Sequence, residues 1–168
     1  MALSLVLHWL HLGAVVLWIG GLGFNLMILM PNLKQIDLTN RSKLVSKVLP
    51  NFLKLAWISI VVIVATGLYR VVFVKNMTAL ADFTSTSYGL SLLSKMSIVA
   101  IMIILAAIIT VKFKPRILAH LSTHIEGAPM QQACSICASM LRQTRMLMMT
   151  VFVLSFAVIF IAAFLRGA

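Results

Sequence analysis

Acidic residues are almost missing from this chain. Across 168 positions there are three, Asp37, Asp82 and Glu126, against fourteen lysines and arginines. None of the three falls within an apolar run, which argues against a carboxylate proton relay inside such runs. Charge of either sign is scarce at 10% of residues, where a soluble domain carries about 25%. Apolar residues make up the balance, at 62% of the chain with a mean hydropathy of +1.09. That composition excludes an ordinary soluble domain, a disordered chain and a fibrous repeat. The bilayer is the solvent.

Four apolar stretches recur, at about 3–29, 52–74, 89–111 and 146–165. Each reaches the ~20 residues that a helix needs to cross ~30 Å of hydrocarbon. The longest connector, 112–145, is too short to stabilise a core of its own, so residues 1–168 read as a single membrane domain. The first stretch has no basic leader, an apolar run longer than that of a secretory signal, and Met30-Pro31-Asn32 in place of a small-residue cleavage site. It is expected to be a retained helix.

The formal charge of +11 would suggest nucleic acid in a soluble protein, but position decides otherwise. Lys34, Arg41, Lys43, Lys47 and Lys54 flank the first connector, and Lys112, Lys114, Arg116, Arg142 and Arg145 the third. The opposite side holds Arg70, Lys75 and Arg166. By the positive-inside rule, connectors one and three face the cytoplasm and both termini lie outside. The basic residues then meet anionic membrane lipid, and no nucleic acid partner is expected.

Pro31 and Pro50 are expected to bracket the first connector, with a short interfacial helix over 43–48 between them. The Thr/Ser-rich segment 76–88 reads as a solvated outer loop. Pro115 and Gly127-Ala128-Pro129 punctuate the third connector, and the last helix is expected to start near Met130, before the membrane.

Polar residues inside the apolar runs are where chemistry can be read, because each is costly there. Ser4, His11, Trp18 and Asn25 recur every seven residues, with His8 one turn from both Ser4 and His11. They form one stripe that should face inward. His8 or His11 supplies an imidazole to a metal, a haem or a proton path, or else His8 marks the outer interface and His11 packs through a hydrogen bond. The third stretch carries Lys95 with Ser91 and Tyr88 on the same face. At ~1.5 Å per residue, Lys95 lies roughly 9 Å below the outer boundary and His11 at a similar depth. Arg70 lies about one turn shallower, as a snorkelling or a functional side chain. A buried lysine can be neutral, and a neutral amine can ligate a metal.

The segment His11-Leu-Gly-Ala-Val-Val-Leu-Trp18-Ile-Gly20-Gly21, closed by Pro31, resembles the first helix of the copper resistance protein D (CopD) domain family in a compact four-helix form. Thr66-Gly67-Leu-Tyr-Arg70 resembles its second helix, and Tyr88-Gly89-Leu-Ser-Leu-Leu-Ser-Lys95 its third. The resemblance implies copper handling in the cell (cytoplasmic) membrane beside periplasmic copper-binding proteins. More distantly, the chain is similar to the HemJ-type protoporphyrinogen oxidases, a likeness that implies haem b held by His11 and Lys95. The Asn-Glu-x-Pro-type segment associated with those oxidases is missing here.

The third connector holds His120-x3-His124 and Cys134-x2-Cys137, a set that reads either as a zinc or soft-metal site or as apolar packing of the cysteines. A reducing cytoplasm argues against a structural disulfide between them. Eleven methionines offer soft thioether ligands for copper, although most are scattered and Met146, Met148 and Met149 fit gap filling. Trp9, Trp57, Tyr69 and Tyr88 are expected as interfacial anchors.

The expected fold is an all-α integral membrane protein, an antiparallel four-helix transmembrane bundle with Gly13, Gly20, Gly21 and Gly23 permitting close packing. The expected function is copper binding or transport at a shallow outward-facing site formed by His11, His8 and Lys95, with Trp18, Asn25, Arg70 and Tyr88 in support. A b-type haem protein ligated by His11 and Lys95, and a non-catalytic subunit of a larger membrane complex, are the alternatives. No acid, base and nucleophile converge, so no enzyme activity is inferred.

Overall fold

The computed structural model describes residues 2–74, 84, 87–116 and 135–167. Helix α1 (Ala2–Gly23) continues through a π turn (Phe24–Leu29), a short α turn (Met30–Asn32) and a 3-10 turn (Leu33–Gln35). Helix α2 (Leu38–Tyr69) ends in a π turn over Arg70–Val74, and α3 (Ser87–Ile108) in another over Ile109–Phe113. Helix α4 covers Ser135–Gly167. No strand occurs among the described residues.

Four helical segments are long and apolar enough to cross a membrane: Ala2–Asn32, Lys43–Phe73, Gly89–Arg116 and Arg142–Ala163. The protein is an all-α, multi-pass membrane bundle. Helix α1 packs along α2, α3 along α4, and α1 along α4. Residue pairing fixes the directions. His8 meets Arg70 and His11 meets Thr66, while Gly21 faces Phe52, so α1 and α2 are antiparallel. Trp18 meets Ser155 and Gly23 faces Phe152, which makes α1 and α4 antiparallel too. Trp57 of α2 donates its indole N–H to Thr110 Oγ1 at 3.0 Å, which joins α2 to the end of α3 and closes the ring.

The core draws on all four helices: Trp18, Leu22 and Leu26 from the first, Leu53, Ala56 and Ile60 from α2, Met102 and Ala106 from α3, and Met148 and Val151 from α4. Around it, large apolar side chains such as Trp9, Val16, Val61, Phe73, Val111 and Phe160 are exposed. Every helix is therefore apolar on the outside as well as within, the arrangement that lipid solvates.

The first connector departs from expectation. Pro31 does not end the first helix and Pro50 does not begin the second. Pro31 falls at the start of the Met30–Asn32 turn, where a missing N–H costs little. The connector shrinks to Ile36 and Asp37, and α2 starts at Leu38 with the Arg41 N–H donating to Asp37 O at 2.8 Å. The separate interfacial helix over 43–48 is thus the first part of α2. Pro50 sits inside that helix, although a mid-helix proline costs about 3 kcal/mol. Packing offsets it: Val45 and Leu49 lie against Leu29, Leu33 and Phe113 on one side of Pro50, and Leu53 and Ala56 enter the main core on the other.

Two further expectations need correction. Gly13 and Gly20 have open space where a Cβ would stand, so they are not packing positions. Gly21 and Gly23 are, because the rings of Phe52 and Phe152 close on them. Trp57 is no interfacial anchor, being half-buried against the core and bonded to Thr110. At the start of α4, helix is described from Ser135, before the span begins at Arg142. His120, His124 and Cys134 lie outside the described residues, as does the side chain of Cys137.

Candidate functional site

At the end of the bundle where α1 begins and α2 finishes, two polar residues of each helix interlock. His8 and His11 share a face of α1 at a spacing of three, and Thr66 and Arg70 share a face of α2 at a spacing of four. Antiparallel packing sets them opposite one another. Arg70 Nη1 lies 2.5 Å from His8 Nδ1, and His11 Nδ1 lies 2.8 Å from Thr66 Oγ1.

The proton positions follow from the chemistry of the partners. The Thr66 hydroxyl donates back along its own helix, to Val62 O at 2.5 Å and more distantly to Ile63 O at 3.3 Å. Its one proton is committed, so the oxygen accepts from His11, and His11 carries its proton on Nδ1. The lone pair of the neutral ring is then on Nε2. A guanidinium has no acceptor, so Arg70 donates to His8 Nδ1, which must be bare. His8 in its neutral form therefore carries its proton on Nε2. The two imidazoles are held in opposite tautomers by neighbours on one helix.

Only one of these is the arrangement a metal uses. A metal-ligating histidine ordinarily donates its second N–H to a fixed partner, which orients the ring and settles the tautomer. His11 has such a partner in Thr66, which is itself 5% exposed and fixed. His8 spends the corresponding lone pair on a cation. Among the described residues no group of three or more His, Cys, Asp or Glu side chains converges as a closed metal cage would require.

The other expected site residues fall elsewhere. Lys95 is half-buried on α3 and engaged with its own surroundings. Its level can be read from a cavity of about 70 Å3 in the bundle, lined by Val15 and Trp18 of α1, Ile60 of α2, Val99 and Met102 of α3, and Ser155 of α4. Lys95 is one turn from Val99 and His11 one turn from Val15, both toward the end at which α1 begins. The two residues share a depth, but the hydrogen bond that His11 makes goes to α2. Ser4 is exposed on the rim, lining an open cleft of about 420 Å3 with Ala2, Leu5, His8 and Arg70. Tyr88 lies in α3, and its side chain is outside the described residues.

Trp18 and Asn25 are buried and committed to structure. Trp18 donates to Ser155 Oγ at 3.2 Å, and Asn25 Nδ2 donates to Gly21 O at 2.9 Å. Sequence reading missed Ser155, because a lone serine in an apolar run carries no spacing signal until its partner is known.

The architecture defines a polytopic helical membrane protein in which two histidines of α1 pair with Thr66 and Arg70 of α2 at one end. The sequence model of the family Copper resistance protein D matches residues 46–165, from within α2 through α4. The chain belongs to that family. The match includes Thr66, Arg70 and Lys95, and begins after α1, so His8 and His11 lie before it. No curated protein and no solved structure matches the chain.

Proposed function

We propose that this protein binds copper as a substrate and passes it across or along the membrane, with His11 Nε2 as the first protein ligand. The observation that carries the reading is the Thr66 hydroxyl, which holds the His11 proton on Nδ1 and so presents the other nitrogen as a donor. Copper here is cargo, and a cargo site must release its ion as readily as it takes it. An open set of donors serves that better than a closed cage. His11 supplies one imidazole, Lys95 at the same depth supplies an amine, and His8 joins when it is released from Arg70. With the positive-inside orientation, this end of the bundle faces outward and both termini lie outside the cell membrane. A periplasmic or extracytoplasmic copper protein is then the partner that presents the ion, with residues 1–168 acting as one membrane domain. The His120, His124, Cys134 and Cys137 set is a second, cytoplasmic candidate for soft metal or zinc.

The test is a Cu(I) competition titration of the detergent-purified full chain, with an absorbance spectrum of the oxidised and dithionite-reduced protein. Near-stoichiometric copper, lost in His11→Ala and weakened in Lys95→Ala, supports the reading. A Soret band that shifts on reduction and vanishes in the same variants would replace it with b-type haem ligation. Copper binding unchanged in the double variant, or neither metal nor chromophore in a folded preparation, would sink it in favour of a subunit of a larger membrane complex.

A further inference from the structure

Ser4, His11, Trp18 and Asn25 recur at sevens along the first span, and the next position in that series is Asn32. His11 is half-buried and Trp18 and Asn25 are buried, yet Asn32 is exposed and its neighbour Leu33 is buried in its stead. The break falls at the π turn over Phe24–Leu29, where the Met30 N–H reaches back five residues to Asn25 O rather than four. The Asn25 side chain competes within the ladder there. Its Nδ2 donates to Gly21 O at 2.9 Å, the carbonyl that an α-helix gives to the Asn25 backbone N–H. Asn32 makes the same contact beyond the turn, donating to Ile28 O at 2.7 Å. The extra residue of the π turn seats Leu33 against Val45, with Leu29, Leu49 and Phe113 packed around them. Phe113 itself ends a second π turn, Ile109–Phe113. This small apolar cluster is separate from the main core and lies at the end of the bundle remote from His11.

We propose that the first span alternates between this π register and an all-α register, and that the alternation is a gate at the end of the bundle remote from His11. In the α register every residue is kept and the segment beyond the turn rotates by about 100°. Leu33 then leaves Val45, and Asn32 takes its place. The seven-residue series is unbroken in that state, so polar side chains follow one another from His11 through Trp18 and Asn25 to Asn32. An asparagine amide set among Leu29, Val45 and Phe113 loses the water that solvates it now, which makes the π register the major state and the α register the minor one. As a gate for copper the alternation rests on the function proposed above; as a change of register it stands without it.

Val45 is buried behind Leu33, so a cysteine there reports the gate. In the full chain carrying Cys134→Ala and Cys137→Ala and reconstituted in liposomes, Val45→Cys should react slowly with a charged maleimide. Deleting Ile28 removes the extra residue and leaves Leu33 in place on an α-helix, so the reaction should slow about 10-fold or more as the open state is lost. Asn25→Leu removes the competitor for Gly21 O and favours the α register, so the reaction should speed up several-fold. In the chain with its own cysteines, the Ile28 deletion should keep the wild-type Cu(I) affinity in the competition titration. Its Cu(I) uptake into liposomes should fall about 10-fold or more. Should that deletion lose its helical circular dichroism, Asn32→Leu serves instead, because a leucine then faces Val45 in either register and both labelling and uptake should fall. A wild-type chain that binds no copper but keeps this order of labelling rates fails the copper reading and supports the gate. Equal labelling in the wild type, the Ile28 deletion and Asn25→Leu, or copper uptake by the deletion at the wild-type rate, overturns the gate.

Discussion

Trp18 of α1 and Ser155 of α4 meet at the centre of the bundle, where the indole N–H donates to Oγ at 3.2 Å and both residues are buried. The serine in turn donates to Val151 O at 2.8 Å. One hydroxyl thus satisfies its own helix and the neighbouring one, and it fixes the rotation of α1 against α4 at the depth of the interior cavity.

Removing that hydroxyl strands a buried donor. Ser155→Ala is expected to cost about 1–2 kcal/mol, because the Trp18 N–H has no replacement partner in the apolar interior. Trp18→Phe removes the donor while Ser155 keeps Val151, so the double variant should lose less than the sum of the two. Unfolding in mixed micelles followed by far-ultraviolet circular dichroism measures all three.

Thr66 orients His11 without touching any ion. Thr66→Val keeps the shape and removes the acceptor, so the imidazole is no longer held with its proton on Nδ1. Affinity for Cu(I) should fall about 10-fold or more, the scale on which loss of an orienting partner acts. Thr66→Ser should restore it, and helix content should be the same in both. Equal Cu(I) affinity in Thr66→Val and the wild type would remove Thr66 from the site.

The glycines of α1 separate into two kinds. A Cβ on Gly20 meets nothing within 4 Å, whereas on Gly21 it meets Phe52 Cε2 at 3.2 Å. Gly20→Ala should be neutral or stabilising by up to about 1 kcal/mol from helix propensity. Gly21→Ala should lose that gain to the displaced ring, and Gly21→Val should destabilise by about 1–3 kcal/mol through overpacking. Phe52→Leu should recover part of the Gly21→Val loss. The same unfolding assay ranks them.

Much of the bundle was legible in the sequence because the bilayer imposes a length on every span. The four apolar runs and the inward stripe of Trp18 and Asn25 follow from that constraint and from helical periodicity alone. The prolines misled, since Pro31 and Pro50 stop a helix only where nothing else holds it, and packing around Val45 and Leu49 carries α2 through Pro50. His11 stood out as a polar residue in hydrocarbon, but its partner could not be read. Thr66 is 55 residues away, and nothing in a single sequence sets the rotation of two helices about their axes. The link between Arg70 and His8 was hidden for the same reason.

The π turn over Phe24–Leu29 changes how positions along the first span should be counted. A wide turn accommodates one additional residue, and one residue is worth about 100° around an α-helix. The stripe of Ser4, His11, Trp18 and Asn25 would continue to Asn32, yet Asn32 is exposed and Leu33 is buried instead. Inward and outward faces beyond the turn are displaced by a single position. Deleting one residue from Leu26–Leu29 would let the turn close to α geometry with Leu33 seven positions on from Asn25, still facing Val45 and Phe113, whereas closing the turn with every residue kept would bring Asn32 round to the interior and swing Leu33 out. The far end of the first span is thus timed by a wide turn of backbone rather than by side chains, and a one-residue deletion within that turn should be better tolerated than one placed elsewhere in the helix, where it would rotate everything beyond it by about 100°.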